Sequence, residues 1–188
     1  MKALKRSLVI IVLLGLSVGI GFSFQFVVTL YEKTTHPLKY SEFVEKYSSL
    51  YGVPREIVYS VIKAESSFRP DAVSSAGAVG LMQITPDTFD TIQRSLGEKL
   101  DNAMLNDPET NIKYGTYYLY MLFNSFHEWD MAFAAYNAGP SRLRAWIDSG
   151  EYSVDKNGVA WVPYPETRKH IAKIEANMKI YKKLYFEN

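Results

Sequence analysis

One acidic side chain, Glu65, stands where a carboxyl could act as an acid catalyst. Counting back from it, Ile62, Val61, Val58 and Ile57 lie three, four, seven and eight positions upstream. Those offsets fall on one face of an α-helix, so the carboxyl ends an apolar stripe. Burial and the negative end of the helix dipole both disfavour its charged form. The pattern therefore predicts a general acid, because an acid catalyst must hold its proton near neutral pH.

The other residue types that commonly carry chemistry form no recognisable metal or cofactor motif. His36, His127 and His170 are far apart, and there is no His-Glu-x-x-His pattern or acid-rich calcium loop. The sequence also contains no glycine-rich phosphate loop and no Gly-x-Ser-x-Gly motif. Because the chain has no cysteine, disulfides, thiolate metal sites and a lipid-modified cysteine are excluded. We expect neither a metal nor a cofactor.

Helical periodicity runs through nearly all of the segment that must position this acid. Ser41 is a predicted helix cap, and Gly52 is a predicted helix end. Cap-plus-proline pairs predict two further helix starts, at Thr85 and Asp107. Only residues 158–162 have a weak strand-like pattern. The sequence thus predicts a compact, mainly α-helical domain.

The N-terminal segment differs from the rest of the chain. Residues 8–31 carry no charged side chain, and three basic residues precede them. This apolar run is longer than the ~20 residues that a helix needs to cross a bilayer. It is also longer than the apolar core of a signal peptide, which has about 7–15 residues. We expect residues 1–31 to be a cytoplasmic tip and transmembrane anchor, 32–39 a linker, and 40–188 one extracytoplasmic domain. A cleaved signal that releases a secreted domain is the alternative.

The predicted ectodomain is close to neutral. Setting aside the three N-terminal basic residues leaves 18 basic against 20 acidic residues, a net charge of −2. No basic stripe is evident, so we do not expect nucleic acid as a partner. The 157 residues after the anchor are enough for one hydrophobic core and too few for two comfortable domains.

Four short motifs along this domain resemble the soluble-lytic-transglycosylase-like catalytic domain, a relative of goose-type lysozymes. Any one motif alone is weak, but their order and spacing together are specific. The fold class expected is mainly α: a lysozyme-like helical domain preceded by one N-terminal transmembrane helix. The four motifs are Glu65-Ser66-Ser67-Phe68, residues 74–83 (SSAGAVGLMQ), residues 135–139 (AYNAG) and Glu166-Thr167-Arg168.

The resemblance implies a reaction on peptidoglycan. In the family, the glutamate matching Glu65 is the sole catalytic carboxylate. It protonates the bridging oxygen between N-acetylmuramic acid and N-acetylglucosamine, then acts as a base while the muramyl C6 hydroxyl closes onto C1. The product is a 1,6-anhydro end. The implied location is the outer face of a bacterial cytoplasmic membrane, with glycan strands as the partner and cell-wall or secretion machinery as an unidentified further partner.

Five more residues match substrate-binding positions of the family: Ser74, Gln83, Tyr136, Asn137 and Glu166. The resemblance implies that Ser74 bonds near an N-acetyl group, that Gln83 binds sugar hydroxyls or amides, and that Tyr136 lies near the catalytic carboxyl. Structural alternatives stay open. Ser74 could make a local backbone bond, and Tyr136 could be core. Asn137 could cap its helix, and Glu166 could be a first-turn acid that the helix dipole favours.

Two positions need separate interpretation. Asp71 is the one other acid between residues 66 and 83. It could be a second carboxylate, which a paired-carboxylate glycosidase needs within about 5–10 Å of the first, or it could stabilise its loop. Family members commonly have tyrosine two residues after Arg168, where this chain has His170. The family role is therefore not carried over, and we interpret His170 as structural.

Two rival functions stay open at this point. A muramidase of the same fold would let water attack the sugar, and sequence alone does not separate it from a transglycosylase. A non-catalytic glycan-binding module or scaffold would keep the fold without turnover. The intact set of Glu65, Gln83 and Tyr136 argues against the scaffold.

Overall fold

The structure, a computed structural model, describes residues 2–154 and 160–187, with side chains from Leu14 onward. The chain divides into two compact units, with the boundary between Pro37 and Leu38. This boundary lies two residues before the predicted start of the domain at residue 40. The predicted roles of residues 1–31, 32–39 and 40–188 stay predictions.

The first unit is one long helix, α1 (Lys2–Thr35). Its part from Leu14 to Thr35 is long and apolar enough to cross a membrane, although a signal sequence meets the same criteria. The helix continues through the first four residues of the predicted linker, because the polar residues 32–35 extend it without a glycine or proline to end it.

The second unit is mainly α-helical, which confirms the predicted fold class. Within its described residues there are two short strands, β1 (Ser153–Val154) and β2 (Ala160–Trp161), paired antiparallel. β2 lies in the segment predicted as strand-like, while residues 155–159 lie outside the described part of the chain. A 3-10 helix (Asn102–Asn106) and a π-helical turn (Lys182–Phe186) complete the helical segments. The α-helices are α2 (Ser41–Tyr51), α3 (Arg55–Glu65), α4 (Pro86–Leu96), α5 (Pro108–Phe126), α6 (Trp129–Ala138), α7 (Pro140–Asp148) and α8 (Pro165–Tyr181).

Most predicted helix ends agree with the structure. The hydroxyl of Thr85 accepts a bond from the third helical amide of α4 at 3.2 Å, and the Asp107 carboxylate does the same for α5 at 2.8 Å. Gly52 ends α2 with a φ of 69°. The predicted cap at Ser41 was wrong. The chain enters α2 through Tyr40 at a φ of 59°, so Ser41 is already the first helical residue.

Helix α3 forms the centre of the second unit. Six consecutive residues, 57–62, are buried, as is Ala64, the last residue but one. A helix that is buried all round needs neighbours on more than one side. Helices α2 and α8 both pack against α3, and α8 also packs against α6. This arrangement fixes the end of α3, where its last residue meets α8.

Candidate active site

Glu65 is the last residue of α3, and its carboxyl faces α8. Its Oε1 lies 2.7 Å from Nε2 of His170, and the two side chains are only 16% and 11% exposed. The residues are 105 positions apart, and the packing of α8 on α3 brings them together. Sequence reasoning missed this contact by interpreting His170 as structural. The signal that could have found it is the position of His170 next to the Glu-Thr-Arg motif.

Two lysines lie near the same helix end. Nζ of Lys173 donates to the backbone carbonyl of Ala64, which satisfies an acceptor at the negative end of the α3 dipole. Burial lowers the pKa of Lys63, and the charge of Lys173 lowers it further. The backbone around Glu65 is thus tied to α8 through a second contact.

Tyr136, near the end of α6, is directed at the loop that follows α3. Its hydroxyl donates to the Met82 carbonyl at 2.6 Å, and its ring lies 5.3 Å from that of Tyr118. Burial raises the pKa of Tyr136 well above its usual range, and the charge of Glu65 adds to the rise. Tyr136 is therefore near Glu65, as expected. However, its hydroxyl holds the loop, and the carboxyl is held by His170.

Gln83 and Ser74 both make bonds within the loop. Nε2 of Gln83 donates to the carbonyls of Ala72 and Gly80 at 3.0 and 2.9 Å. The Ser74 hydroxyl accepts from the Ala78 amide at 3.0 Å, while the Ser74 amide donates to the Ala78 carbonyl at 2.9 Å. The local bond considered for Ser74 is present. Contact of either side chain with a sugar stays a prediction.

A buried asparagine on α5, Asn111, anchors the same loop, and sequence reasoning did not identify it. Its Oδ1 accepts from the Met82 amide at 2.7 Å, and its Nδ2 donates to the carbonyls of Val79 and Leu105 at 3.0 and 2.7 Å. Gly80 fits beside it at a φ of 83°, because a Cβ there would lie 2.2 Å from Nδ2. No sequence motif signals a contact between residues about 30 positions apart.

The remaining candidates are more peripheral. Asn137 is exposed, and its Oδ1 accepts from the Thr167 hydroxyl at 2.8 Å, which ties the end of α6 to the start of α8. Glu166 is exposed in the first turn of α8, and Asp71 is exposed in the loop. Among the described residues, no hydrogen bond links Glu166 or Asp71 to Glu65. The structure thus brings Glu65, Tyr136 and the unpredicted histidine together.

No cluster of three or more potential metal ligands occurs in the part of the chain that the structure describes. An open depression of about 380 Å³ lies between α4, α5 and α7, and its lining includes Tyr118. The Tyr118 ring packs against that of Tyr136, so this depression adjoins the wall of the candidate site.

Comparison with known sequences defines the class of protein to which this geometry belongs. The family described as "Transglycosylase SLT domain" matches residues 42–158. The chain belongs to this family. The soluble lytic murein transglycosylase of Escherichia coli strain K12 is 34% identical over 150 residues, which cover 78% of this chain and 23% of that protein. The membrane-bound lytic murein transglycosylase C of Actinobacillus succinogenes is 30% identical over 171 residues, covering 78% of this chain and 47% of that protein.

Solved structures agree with this assignment. The 70 kDa soluble lytic transglycosylase of Escherichia coli superposes with a TM-score of 0.75 at 31% identity, covering 81% of this chain and 25% of that one. The same enzyme has been solved as a complex with bulgecin A. An inactive glutamate-to-glutamine mutant of the lytic transglycosylase Slt from Pseudomonas aeruginosa gives a TM-score of 0.74 at 27% identity, covering 83% and 26%. The chain therefore spans about a quarter of the length of these proteins.

Proposed function

We propose that the second unit is a lytic transglycosylase that cleaves the β-1,4 bond between N-acetylmuramic acid and N-acetylglucosamine in peptidoglycan. The observation that carries the proposal is one largely buried carboxyl, Glu65, at a helix end beside Tyr136 and His170. Membership of the transglycosylase family supports the substrate class. The inactivity of a related enzyme that lacks one glutamate supports dependence on a single carboxyl.

The proposed reaction uses Glu65 twice. Its carboxyl proton passes to the bridging oxygen as the bond from C1 to that oxygen breaks, and the electron pair leaves with the oxygen. The C6 hydroxyl oxygen of the same muramyl residue then bonds to C1, and its proton returns to Glu65. The products are a free 4-hydroxyl and a 1,6-anhydro ring, so one residue completes the cycle without a second carboxylate.

The loop from residue 66 to 83 and the end of α6 are proposed to bind the glycan. Gln83, Ser74 and Asn137 present polar groups suited to sugar hydroxyls and N-acetyl groups. The partly exposed ring of Tyr136 offers a stacking surface. Glu166, exposed in the first turn of α8, completes the proposed binding set.

We further propose that α1 anchors the enzyme in the cytoplasmic membrane with the catalytic unit outside. The apolar length of the helix and the existence of membrane-bound relatives support anchoring. The basic flank of residues 1–6 supports the orientation. Fractionation and N-terminal sequencing of the mature protein test it. A soluble protein that begins after residue 31 would overturn the anchor.

The direct test of the reaction is digestion of purified peptidoglycan followed by mass spectrometry of the sugar ends. We expect 1,6-anhydro ends, and reducing muramic acid ends would instead indicate a muramidase. Glu65→Gln should lower turnover by about 10²–10⁴-fold, because the amide has no acidic proton.

Two matched variants complete this test. Asp71→Asn should leave turnover near the wild-type value, since Asp71 is exposed and outside the proposed mechanism. A loss as large as that of Glu65→Gln would point to a paired-carboxylate mechanism. Asp148→Asn, at the exposed end of α7, is a control for general effects of removing an acid.

A further inference from the structure

The contact between His170 and Glu65 carries an inference beyond the general reaction. The His170 side chain is only 11% exposed, so water reaches little of the ring. Its Nε2 lies 2.7 Å from Oε1 of Glu65. Its other nitrogen, Nδ1, is buried and has no hydrogen-bond partner among the described residues.

The isolation of Nδ1 identifies the protonation state of the ring. A buried N–H without an acceptor is costly and rare in native proteins, whereas an under-satisfied buried acceptor is more easily tolerated. A proton on Nδ1 would be such an N–H, and in an imidazolium it would also be charged. The arrangement therefore favours a neutral ring with its single proton on Nε2, directed at Glu65.

We propose that His170 is a positioning residue that holds the catalytic carboxyl through a neutral Nε2–H donor to Oε1 of Glu65. This proposal rests on the transglycosylase function proposed for Glu65. The bond fixes the carboxyl plane through Oε1. It leaves Oε2, which receives no other hydrogen bond among the described residues, to carry the proton that is exchanged with the substrate.

A neutral donor suits a residue that must act first as an acid and then as a base. A cation within about 4–6 Å would favour the carboxylate and so oppose the acid step. Charge-assisted bonds are about twice as strong as neutral ones, so an imidazolium would hold Glu65 ionised more firmly. The neutral bond orients the carboxyl in both of its protonation states and favours the carboxylate less than a cation would.

The surrounding charged and titratable groups are Lys63 on α3, Tyr136 on α6, and Lys173 and Glu166 on α8. Lys173 is bound to the carbonyl of Ala64, and Tyr136 to the carbonyl of Met82. Glu166 is exposed one turn before the histidine. None of these groups is a hydrogen-bond partner of Nδ1.

Three substitutions at position 170 separate this role from simple packing. His170→Gln places an uncharged amide N–H where Nε2 lies, and we expect kcat within about threefold of wild type. His170→Phe keeps a planar ring without a donor, and we expect kcat to fall about 10–100-fold with KM changed less than threefold, as for other orienting partners. His170→Lys supplies a cation, and we expect a loss larger than that of His170→Phe.

Thermal unfolding of each variant separates folding from chemistry. Lys179→Gln, at an exposed position nine residues further along α8, is the matched control and should keep wild-type kcat. A kcat for His170→Phe equal to that of wild type, or for His170→Lys equal to that of His170→Gln, would overturn the proposal.

An activity-independent measurement keeps the inference distinct from the proposed function. In the full ¹⁵N-labelled chain in detergent, long-range ¹H–¹⁵N spectra at neutral pH report the tautomer of each of the three imidazoles. Comparison with His170→Gln assigns the signal. We expect a protonated Nε2 and a bare Nδ1, and a proton on Nδ1 would overturn the proposal. Absence of anhydro products from the wild-type enzyme would overturn the transglycosylase assignment instead, and the spectrum would still decide the state of His170.

Discussion

The two sides of Glu65 differ in how completely their polar groups are satisfied. On the loop side, Asn111 forms three hydrogen bonds to backbone groups, and the Ser66 and Tyr136 hydroxyls donate to the carbonyls of Leu81 and Met82. On the α8 side, by contrast, the buried Nδ1 of His170 has no hydrogen-bond partner among the described residues. Two lysines with mutually unfavourable charges and a pair of hydrogen-bonded carboxyls lie on the same side.

The carboxyl pair on the α8 side shows the difference most clearly. Asp130 at the start of α6 and Glu175 on α8 hydrogen-bond each other. Burial raises the pKa of both carboxyls, and their mutual charge raises that of Glu175 further. The loop side is thus a stable scaffold, whereas helix α8 carries a carboxyl whose pKa is raised. Natural proteins commonly accept such local costs at functional sites.

The largest expected effect is on the loop side. Asn111→Ala should lower the free energy of unfolding by about 3–5 kcal/mol, because it leaves the Met82 amide and the Leu105 carbonyl without partners and removes one of the two bonds to the Val79 carbonyl. Urea-induced unfolding measures the change. Asn124→Ala, an exposed substitution on the same helix, is the control and should cost less than about 1 kcal/mol. Equal effects of the two variants would refute the description of the loop side as a scaffold.

The next effect compares two glycines in the same loop. Gly80 and Gly77 have φ values of 83° and 77°, but a Cβ at Gly80 would lie 2.5 Å from the Leu105 carbonyl oxygen, whereas one at Gly77 meets nothing within 4 Å. Gly77→Ala should cost about 1 kcal/mol from backbone strain alone. Gly80→Ala should cost about 2–3 kcal/mol more, because the backbone must move. Similar unfolding midpoints for both would show that the loop adapts easily.

The smallest effect tests the α8 side. Carboxyls with a raised pKa in the folded state bind protons more tightly there than in the unfolded chain. Their contribution to stability is therefore present at acidic pH and falls as the pH rises from the ordinary carboxyl range through the raised pKa. In Glu175→Gln the amide can still donate a hydrogen bond to Asp130, but it does not become charged as the pH rises.

We expect this variant to match wild type near pH 4 and to melt roughly 1–2 °C higher near pH 7, since both carboxyls are partly solvated. Calorimetry at pH 4 and pH 7 measures the melting temperatures, with Asp148→Asn as a control. A variant that is less stable than wild type at pH 7 would show that the α8 side is as well satisfied as the loop side.

Sequence reasoning succeeded where the physical cause was local. The caps at Thr85 and Asp107 and the end of α2 at Gly52 depend on residues within one helical turn. The position of Glu65 at the end of α3 followed from periodicity. The resemblance also predicted that Tyr136 lies near Glu65, although not which atom its hydroxyl would bind.

The missed features all depend on tertiary packing. His170 meets Glu65 only because α8 lies on α3, across 105 residues of sequence. Asn111 reaches a loop about 30 residues earlier, and its role depends on backbone groups, which sequence patterns do not reveal. An isolated histidine or asparagine can occupy many environments in a fold, so residue type alone could not identify His170 and Asn111 as parts of the site.

The anchoring of the loop by Asn111 would also bear on the chemical lifetime of the protein. Hydrolysis of this one amide to a carboxylate would replace the two-proton donor with an acceptor facing the carbonyl oxygens of Val79 and Leu105. The repulsion would release the loop that carries Gln83 and Met82. Slow deamidation at a single buried position, with Glu65 and His170 intact, would then be enough to age the molecule into an inactive form.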